Sequence, residues 1–302
     1  MLIRLLVNIA LRLTLKRLWS KGPTVEALRV KAAAVDAWLR RWFGSFGVEP
    51  IRTHGGAAEW VGDASAAKRG VLLYVHGGAF CIHLPNAYRR LASRLAHKTG
   101  MRVLMPCYRL APEHPLPAGL DDCFAAYCWL LDQGIAAERV AIAGDSAGGN
   151  LALGVVMRAR DEGRALPACA VLMSPVTDLA GTGPSLHTNE MSDVMFSGSA
   201  LALVQSAYLN GASAKSPSAS PLYGEWEGLP PMLFHASGSE MLLDDSRRAV
   251  DRARARGVVA HLKVWPGMPH VFQLFSLLPE SRQAIDEVGA FIGEHTSLPT
   301  EF

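Results

Sequence analysis

Several signals that would place a chain in a specialised class are missing from this one. It has no block of basic residues: 30 Lys+Arg stand against 27 Asp+Glu in 302 residues, a net charge of +3. A nucleic-acid binder needs a clustered basic footprint, so that class has little support. The five cysteines (Cys81, Cys107, Cys123, Cys128, Cys169) are odd in number, scattered and without C-x-x-C spacing. That pattern argues against a disulfide framework or a thiolate metal site. It favours free, mostly buried thiols in a reducing, cytoplasmic setting. No apolar run is long enough to span a bilayer, and no repeat or low-complexity tract stands out. The apolar stretch from Met1 to Trp19 is broken by Arg4, Asn8, Arg12 and Lys16. These recur every fourth residue and so share one face of a helix. Arg12 cuts the apolar run short and no small-residue cleavage site follows, which argues against a signal peptide. The expectation is an amphipathic helix that packs on the protein or covers its active site, with lipid contact as the alternative.

What is present is the material of one large core: 50% hydrophobic and 19% charged residues. A second helix is expected over 24–43, set off by Gly22 and Pro23. Short apolar runs at Val71–Val75, Val103–Met105, Val140–Ala143, Ala170–Met173, Met232–His235 and His261–Trp265 read as buried strands. Helical stretches lie between them, near 87–98, 121–132, 147–161, 244–256 and 280–294. Strands alternating with helices predict an α/β fold with a mostly parallel sheet covered on both faces. Residues 181–228 interrupt the rhythm with Gly, Ser and Pro and a helical patch near 199–209. They read as an insertion over the carboxyl edge of the sheet, where α/β sites lie.

The strand Val140–Ala143 runs into Gly144-Asp145-Ser146-Ala147-Gly148-Gly149-Asn150 and then an apolar helix. Strand, G-x-S-x-G, helix is the setting of a nucleophile elbow, with Ser146 on a turn that small neighbours permit. A serine hydroxyl needs a base, and the base needs an orienting acid, in the chain order Ser, acid, His. His270 follows the last strand in Pro266-Gly267-Met268-Pro269-His270, where a loop would hold it over the elbow. His235 lies inside a strand and reads as a core histidine. Behind the strand Met232–His235 three carboxylates compete: Glu240, Asp244 and Asp245. The aspartates begin the next helix and are explained by capping and the helix dipole. Glu240 has no such structural role and is favoured, with Asp244 as runner-up. For the oxyanion, His76-Gly77-Gly78-Ala79-Phe80 leaves a strand directly. The N–H groups of Gly77 and Gly78, with that of Ala147, are the expected donors. Met191, Met195, Phe196 and Trp226 are candidates for pocket lining.

Together, His76–Phe80, Tyr108-Arg109-Leu110-Ala111-Pro112-Glu113, Pro117-Ala118 with Asp121-Asp122, Gly144–Asn150, Ser174-Pro175 and Pro269-His270 resemble the hormone-sensitive-lipase family of α/β-hydrolases. The likeness covers about residues 70–295. It implies an α/β-hydrolase fold and a serine carboxylesterase acting on short- to medium-chain esters. The implied triad is Ser146, Glu240 and His270, with no cofactor or metal. Many relatives carry Asp-Pro-Leu where this chain has Glu240-Met241-Leu242. The resemblance also implies a cap from 1–45 and 181–228 over a core of 46–180 and 229–302, and a homodimer through the sheet edge. Arg109 and Glu113 are expected in a buried ion-pair network bracing the oxyanion loop, and Asp145 as a brace for the elbow. Lactones, amides or bulky esters are alternative substrates. A catalytically dead, ligand-binding homologue is the alternative from another class.

Overall fold

The computed structural model describes residues 2–43 and 47–296. The expected boundary at 45/46 and the last six residues of the chain lie outside the described residues. The chain begins with helix α1 (Leu2–Leu11), which runs through a π-helical turn, Arg12–Lys16, into α2 (Arg17–Trp19). Helix α3 (Val25–Phe43) follows. Then come β1 (Val48–Thr53), β2 (Gly56–Val61), β3 (Val71–Val75), α4 (Pro85–Thr99), β4 (Arg102–Pro106), α5 (Ala118–Asp132), β5 (Val140–Asp145) and α6 (Ala147–Asp161). The second half holds β6 (Cys169–Met173), α7 (Ser185–Thr188), α8 (Ser199–Val204), β7 (Met232–Ser237), α9 (Leu243–Ala255), β8 (Ala260–Trp265) and α10 (Pro279–His295).

The eight strands form one sheet in the order β1-β2-β4-β3-β5-β6-β7-β8. From β4 to β8 all neighbours are parallel, while β2 pairs antiparallel with β1 and β4. All six strands expected from apolar runs are present. The β1–β2 hairpin was not expected, because Glu49, Pro50, Arg52 and Glu59 give it a polar, loop-like texture.

The parallel strands are buried on both faces, so they read as continuous apolar runs. Their period of two still sorts the side chains. Val71, Leu73 and Val75 of β3 join Val140 and Ile142 of β5 in the larger core. Leu72 and Tyr74 join Ala141 and Ala143 in the core beneath α4 and α10. Turns at Gly134, Gly163 and Gly257, all at positive φ, lead into the amino ends of β5, β6 and β8.

The N-terminal helices are tied to this core by a carboxylate. Asp36 of α3 is buried and accepts from the N–H groups of Asn86 (2.9 Å) and Ala87 (3.1 Å). It thereby caps the amino end of α4, where unpaired N–H groups and the helix dipole favour an anion. Ser199 of α8 donates to Trp19 O (2.5 Å), linking the N-terminal helices to the 181–228 segment. Among the described residues no helix is long and apolar enough to cross a membrane.

Candidate active site

Strand β5 carries the chain into Ser146, whose backbone lies at φ +52°, ψ −121°. That region is costly for any residue with a Cβ and persists only when the surroundings impose it. Here Ser146 N donates to Met173 O at 3.0 Å, and Ser146 O accepts from Val176 N at 3.0 Å. The turn also needs two glycines. A Cβ on Gly144 would meet Gly148 O at 2.3 Å, and one on Gly148 would meet Val75 O at 2.1 Å.

Strands β7 and β8 bring the other two groups to the same edge of the sheet. His270 Nδ1 is 2.6 Å from Glu240 Oε2, and both residues are almost wholly buried. Glu240 Oε1 accepts from Ser237 N (2.6 Å) and Ser174 Oγ (3.0 Å). With both oxygens engaged, the carboxylate is fixed and directs the Nδ1–H tautomer. Burial disfavours the charged imidazole, but the hydrogen bond and charge of Glu240 outweigh it, with help from Asp193 and Asp145. The His270 pKa is raised as a result. Nε2, the other ring nitrogen, is buried and has no hydrogen-bond partner among the described residues. His270 and Ser146 line the same cavity.

In the loop after β3, one N–H is not placed where the sequence led us to expect it. Gly77 N donates to Asp145 Oδ1 at 3.0 Å, so it does not face the cavity. Gly78 and Ala79 line the cavity instead. Gly78 (φ +115°) and Ala79 (φ +52°) both have positive φ, and a Cβ on Gly78 would meet Ile82 O at 2.0 Å. Asp145 is fully buried and also accepts from Tyr74 Oη (2.5 Å) and Tyr88 Oη (3.4 Å). Burial pushes its carboxyl up to about 6, against the pull of those donors. Tyr108 Oη donates to His76 O at 2.8 Å. His76, pushed down to about 3 by burial, stacks on Tyr108 and His83 as a neutral ring.

Residues 72–274 match a family model described as the alpha/beta hydrolase fold. An acetyl-hydrolase of Streptomyces hygroscopicus is 41% identical over 83% of this chain and 85% of its own length. A carboxylesterase/phospholipase of Mycobacterium tuberculosis is 36% identical over 97% of this chain and 82% of its own. The crystal structure of an esterase from the bacterial hormone-sensitive lipase family superposes with a TM-score of 0.85. It is 39% identical and covers 90% of this chain and 92% of that one. The chain belongs to the hormone-sensitive-lipase family of α/β-hydrolases.

In this hydrolase a cavity of about 1050 Å³ joins Ser146 and His270 to the N-terminal helices and the 181–228 segment. Phe196 packs edge-on against His270, with ring centroids 4.9 Å apart, and against Trp19 at 5.6 Å. Met195 and Phe196 line the cavity as expected. Met191 points to solvent and Trp226 is buried in the core. Asp244 lies elsewhere: it accepts from Ser185 N (2.8 Å) and pairs with Arg247. Asp245 is buried and holds the N–H groups of Thr177 and Asp178, so neither aspartate meets His270. Arg109 and Glu113 do not share the expected buried ion-pair network. Arg109 binds Asp122 (2.8 Å), and Glu113 meets Arg29 of α3 (2.6 Å) near the surface.

Two supports of the site were not singled out beforehand. Ser174, at φ +50°, donates to Glu240 and accepts from Val271 N at 3.3 Å, so one hydroxyl ties the loop of Glu240 to that of His270. Its place in Ser174-Pro175 was the available signal. Asp193 is buried and accepts from Met195 N, Phe196 N and Met241 N, fixing the pocket wall to the residue after Glu240.

Proposed function

We propose that this hydrolase is a serine carboxylesterase that cleaves short- to medium-chain esters through an acyl-enzyme on Ser146, with Glu240 and His270 completing the triad. The observation that carries the reading is the 2.6 Å bond from Glu240 to His270 Nδ1, with bare Nε2 and strained Ser146 on one cavity. His270 Nε2 takes the proton as Ser146 Oγ attacks the ester carbonyl. The oxyanion settles on the N–H groups of Gly78, Ala79 and Ala147, Ala79 replacing Gly77 in the expected set. His270 passes the proton to the leaving alcohol, and water repeats the sequence on the acyl-enzyme. Glu240 holds the tautomer and stabilises the imidazolium.

The N-terminal helices and residues 181–228 act as a cap whose apolar lining, Phe196 and Trp19 foremost, favours acyl chains over polar substrates. The free thiols support residence in the cytoplasm, and β8, as an edge strand, supports a homodimer. Ser146→Ala tests the chemistry. It should abolish p-nitrophenyl butyrate hydrolysis and labelling by a fluorophosphonate while the circular dichroism stays native. Retained turnover refutes the assignment.

A further inference from the structure

A surface helix of a globular protein normally buries its apolar stripe and shows its polar one to water. Helix α1 and its π-helical continuation do the reverse. Arg4 donates to Pro266 O (3.2 Å), Asn8 to Gly267 O (3.0 Å) and Arg12 to Met191 O (3.0 Å). Lys16 donates to Asp193 O (2.7 Å) and to Glu190 O. The four-residue polar stripe is thus used up on carbonyls of the two loops that flank the cavity. Leu2, Ile3, Leu5, Leu6, Ile9 and Leu13 are left between 46% and 68% exposed. At 3.6 residues per turn they share one continuous outer face.

This face continues across the cavity onto α3. Trp38 and Trp42 are 54% and 68% exposed, with ring centroids 6.0 Å apart. Leu13, Val35, Trp38 and Leu277 both line the cavity and stay exposed, so its mouth has an apolar rim. The N-terminal helices that carry this face are mostly basic. Residues 2–43 hold nine Lys and Arg against Glu26 and Asp36, and Asp36 is buried under α4. Arg17, Lys21 and Lys31 are exposed and line the cavity mouth, and Arg40 and Arg41 are exposed at the end of α3.

An apolar helix face with tryptophans and a basic border matches the layered chemistry of an anionic bilayer surface: acyl boundary, interface, phosphate. A second copy of this chain matches it poorly, because a two-fold contact would bring the same cations face to face. We propose that the outer face of α1, with Trp38, Trp42 and their basic border, docks this protein on an anionic lipid surface. In that orientation the cavity mouth faces the bilayer. The docking stands apart from the hydrolase chemistry. Its use, admitting lipid-dissolved esters to Ser146, rests on the function proposed above.

The test is co-sedimentation of the full chain with large unilamellar vesicles of phosphatidylcholine alone or of equimolar phosphatidylcholine and phosphatidylglycerol. Binding is expected to the anionic vesicles and to weaken with salt, each basic residue near the surface contributing about fivefold. Leu6→Gln with Ile9→Gln, neither of which lines the cavity, should lower partition about a hundredfold. Hydrolysis of dissolved p-nitrophenyl acetate should not change. Arg17→Glu with Lys21→Glu is the second variant, expected to weaken binding to the anionic vesicles and to keep the fold. Ser146→Ala should bind like wild type, so an error in the chemistry shows separately from an error in the docking. The proposal is overturned if wild type ignores both vesicle types or if the Leu6/Ile9 variant binds undiminished. A dimer that light scattering finds in wild type and not in that variant, without vesicle binding, also overturns it.

Discussion

Replacing Glu240 by Gln isolates the contribution of one negative charge to turnover. With 2.6 Å between Glu240 Oε2 and His270 Nδ1, the charge centres of carboxylate and imidazolium lie about 4 Å apart, worth about 4 kcal/mol at an effective dielectric near 20. Gln keeps an acceptor for Nδ1–H, which recovers about 1 kcal/mol. The remaining deficit of about 3 kcal/mol corresponds to a drop in kcat of roughly a hundredfold. KM should move little, because the imidazolium exists only on the way to and from the tetrahedral species. The pH profile supplies a second reading. Burial lowers the His270 pKa, and Glu240 is what raises it above its ordinary value of 6.5. The base must be neutral, so wild-type kcat/KM should fall on the acid side with a midpoint above 6.5. In Glu240→Gln the raising partner is gone and burial remains, so the midpoint should move to lower pH. Asp244→Asn is the control. Its bonds run to Ser185 and Arg247, and kcat should stay within about twofold. Steady-state kinetics on p-nitrophenyl butyrate between pH 5 and 9 decide the matter. If Asp244→Asn loses more activity than Glu240→Gln, or if the acid limb stays in place, the assignment of the acid is refuted.

Ser146→Gly and Ser146→Ala should both be inactive, but Gly accepts φ +52° without a Cβ penalty. Its urea midpoint should correspond to about 1 kcal/mol more stability than that of the Ala variant. Asp145→Asn brings an amide to a site where Tyr74, Gly77 and Tyr88 all donate. It should cost about 2–3 kcal/mol in chemical denaturation and depress kcat by loosening the oxyanion loop. Phe196→Ala removes the wall between His270 and Trp19. The ratio of kcat/KM for p-nitrophenyl octanoate over acetate should rise about tenfold, and an unchanged ratio would show that Phe196 does not limit the acyl site.

Sequence alone made most of the sheet readable, because strands buried on both faces leave unbroken apolar runs such as Val71–Val75 and Ala170–Met173. The β1–β2 hairpin left no such mark. Its short apolar stretches are interrupted on both faces: Glu49 sits opposite Trp60 on one, and Arg52 and Glu59 lie on the other. The elbow was legible because its small residues are demanded locally, by the approach of Gly144 to Gly148. Glu240 was reached by elimination: Asp244 and Asp245 stand in the first turn of α9, although in the fold they hold N–H groups of Ser185, Thr177 and Asp178 and do not cap their own helix. The use of Gly77 was not legible. Its N–H is taken by Asp145, a carboxylate that reaches it across neighbouring strands, and no local spacing reports that. The same holds for α1. A four-residue repeat of Arg4, Asn8, Arg12 and Lys16 establishes a polar stripe but not which way it faces. The carbonyls at 190–193 and 266–267 that turn it inward come together only in the folded chain.

Every group of the proposed chemistry leaves the sheet at one edge, and the opposite edge is closed by short turns. At Gly134, Gly163 and Gly257 an added Cβ would meet nothing within 4 Å. These turns are natural points of attachment: an affinity tag, a surface tether or new chain termini placed there would reach neither cavity nor cap. Immobilised through the loop at Gly163, between α6 and β6, the molecule would present its cavity mouth outward to whatever carries the substrate.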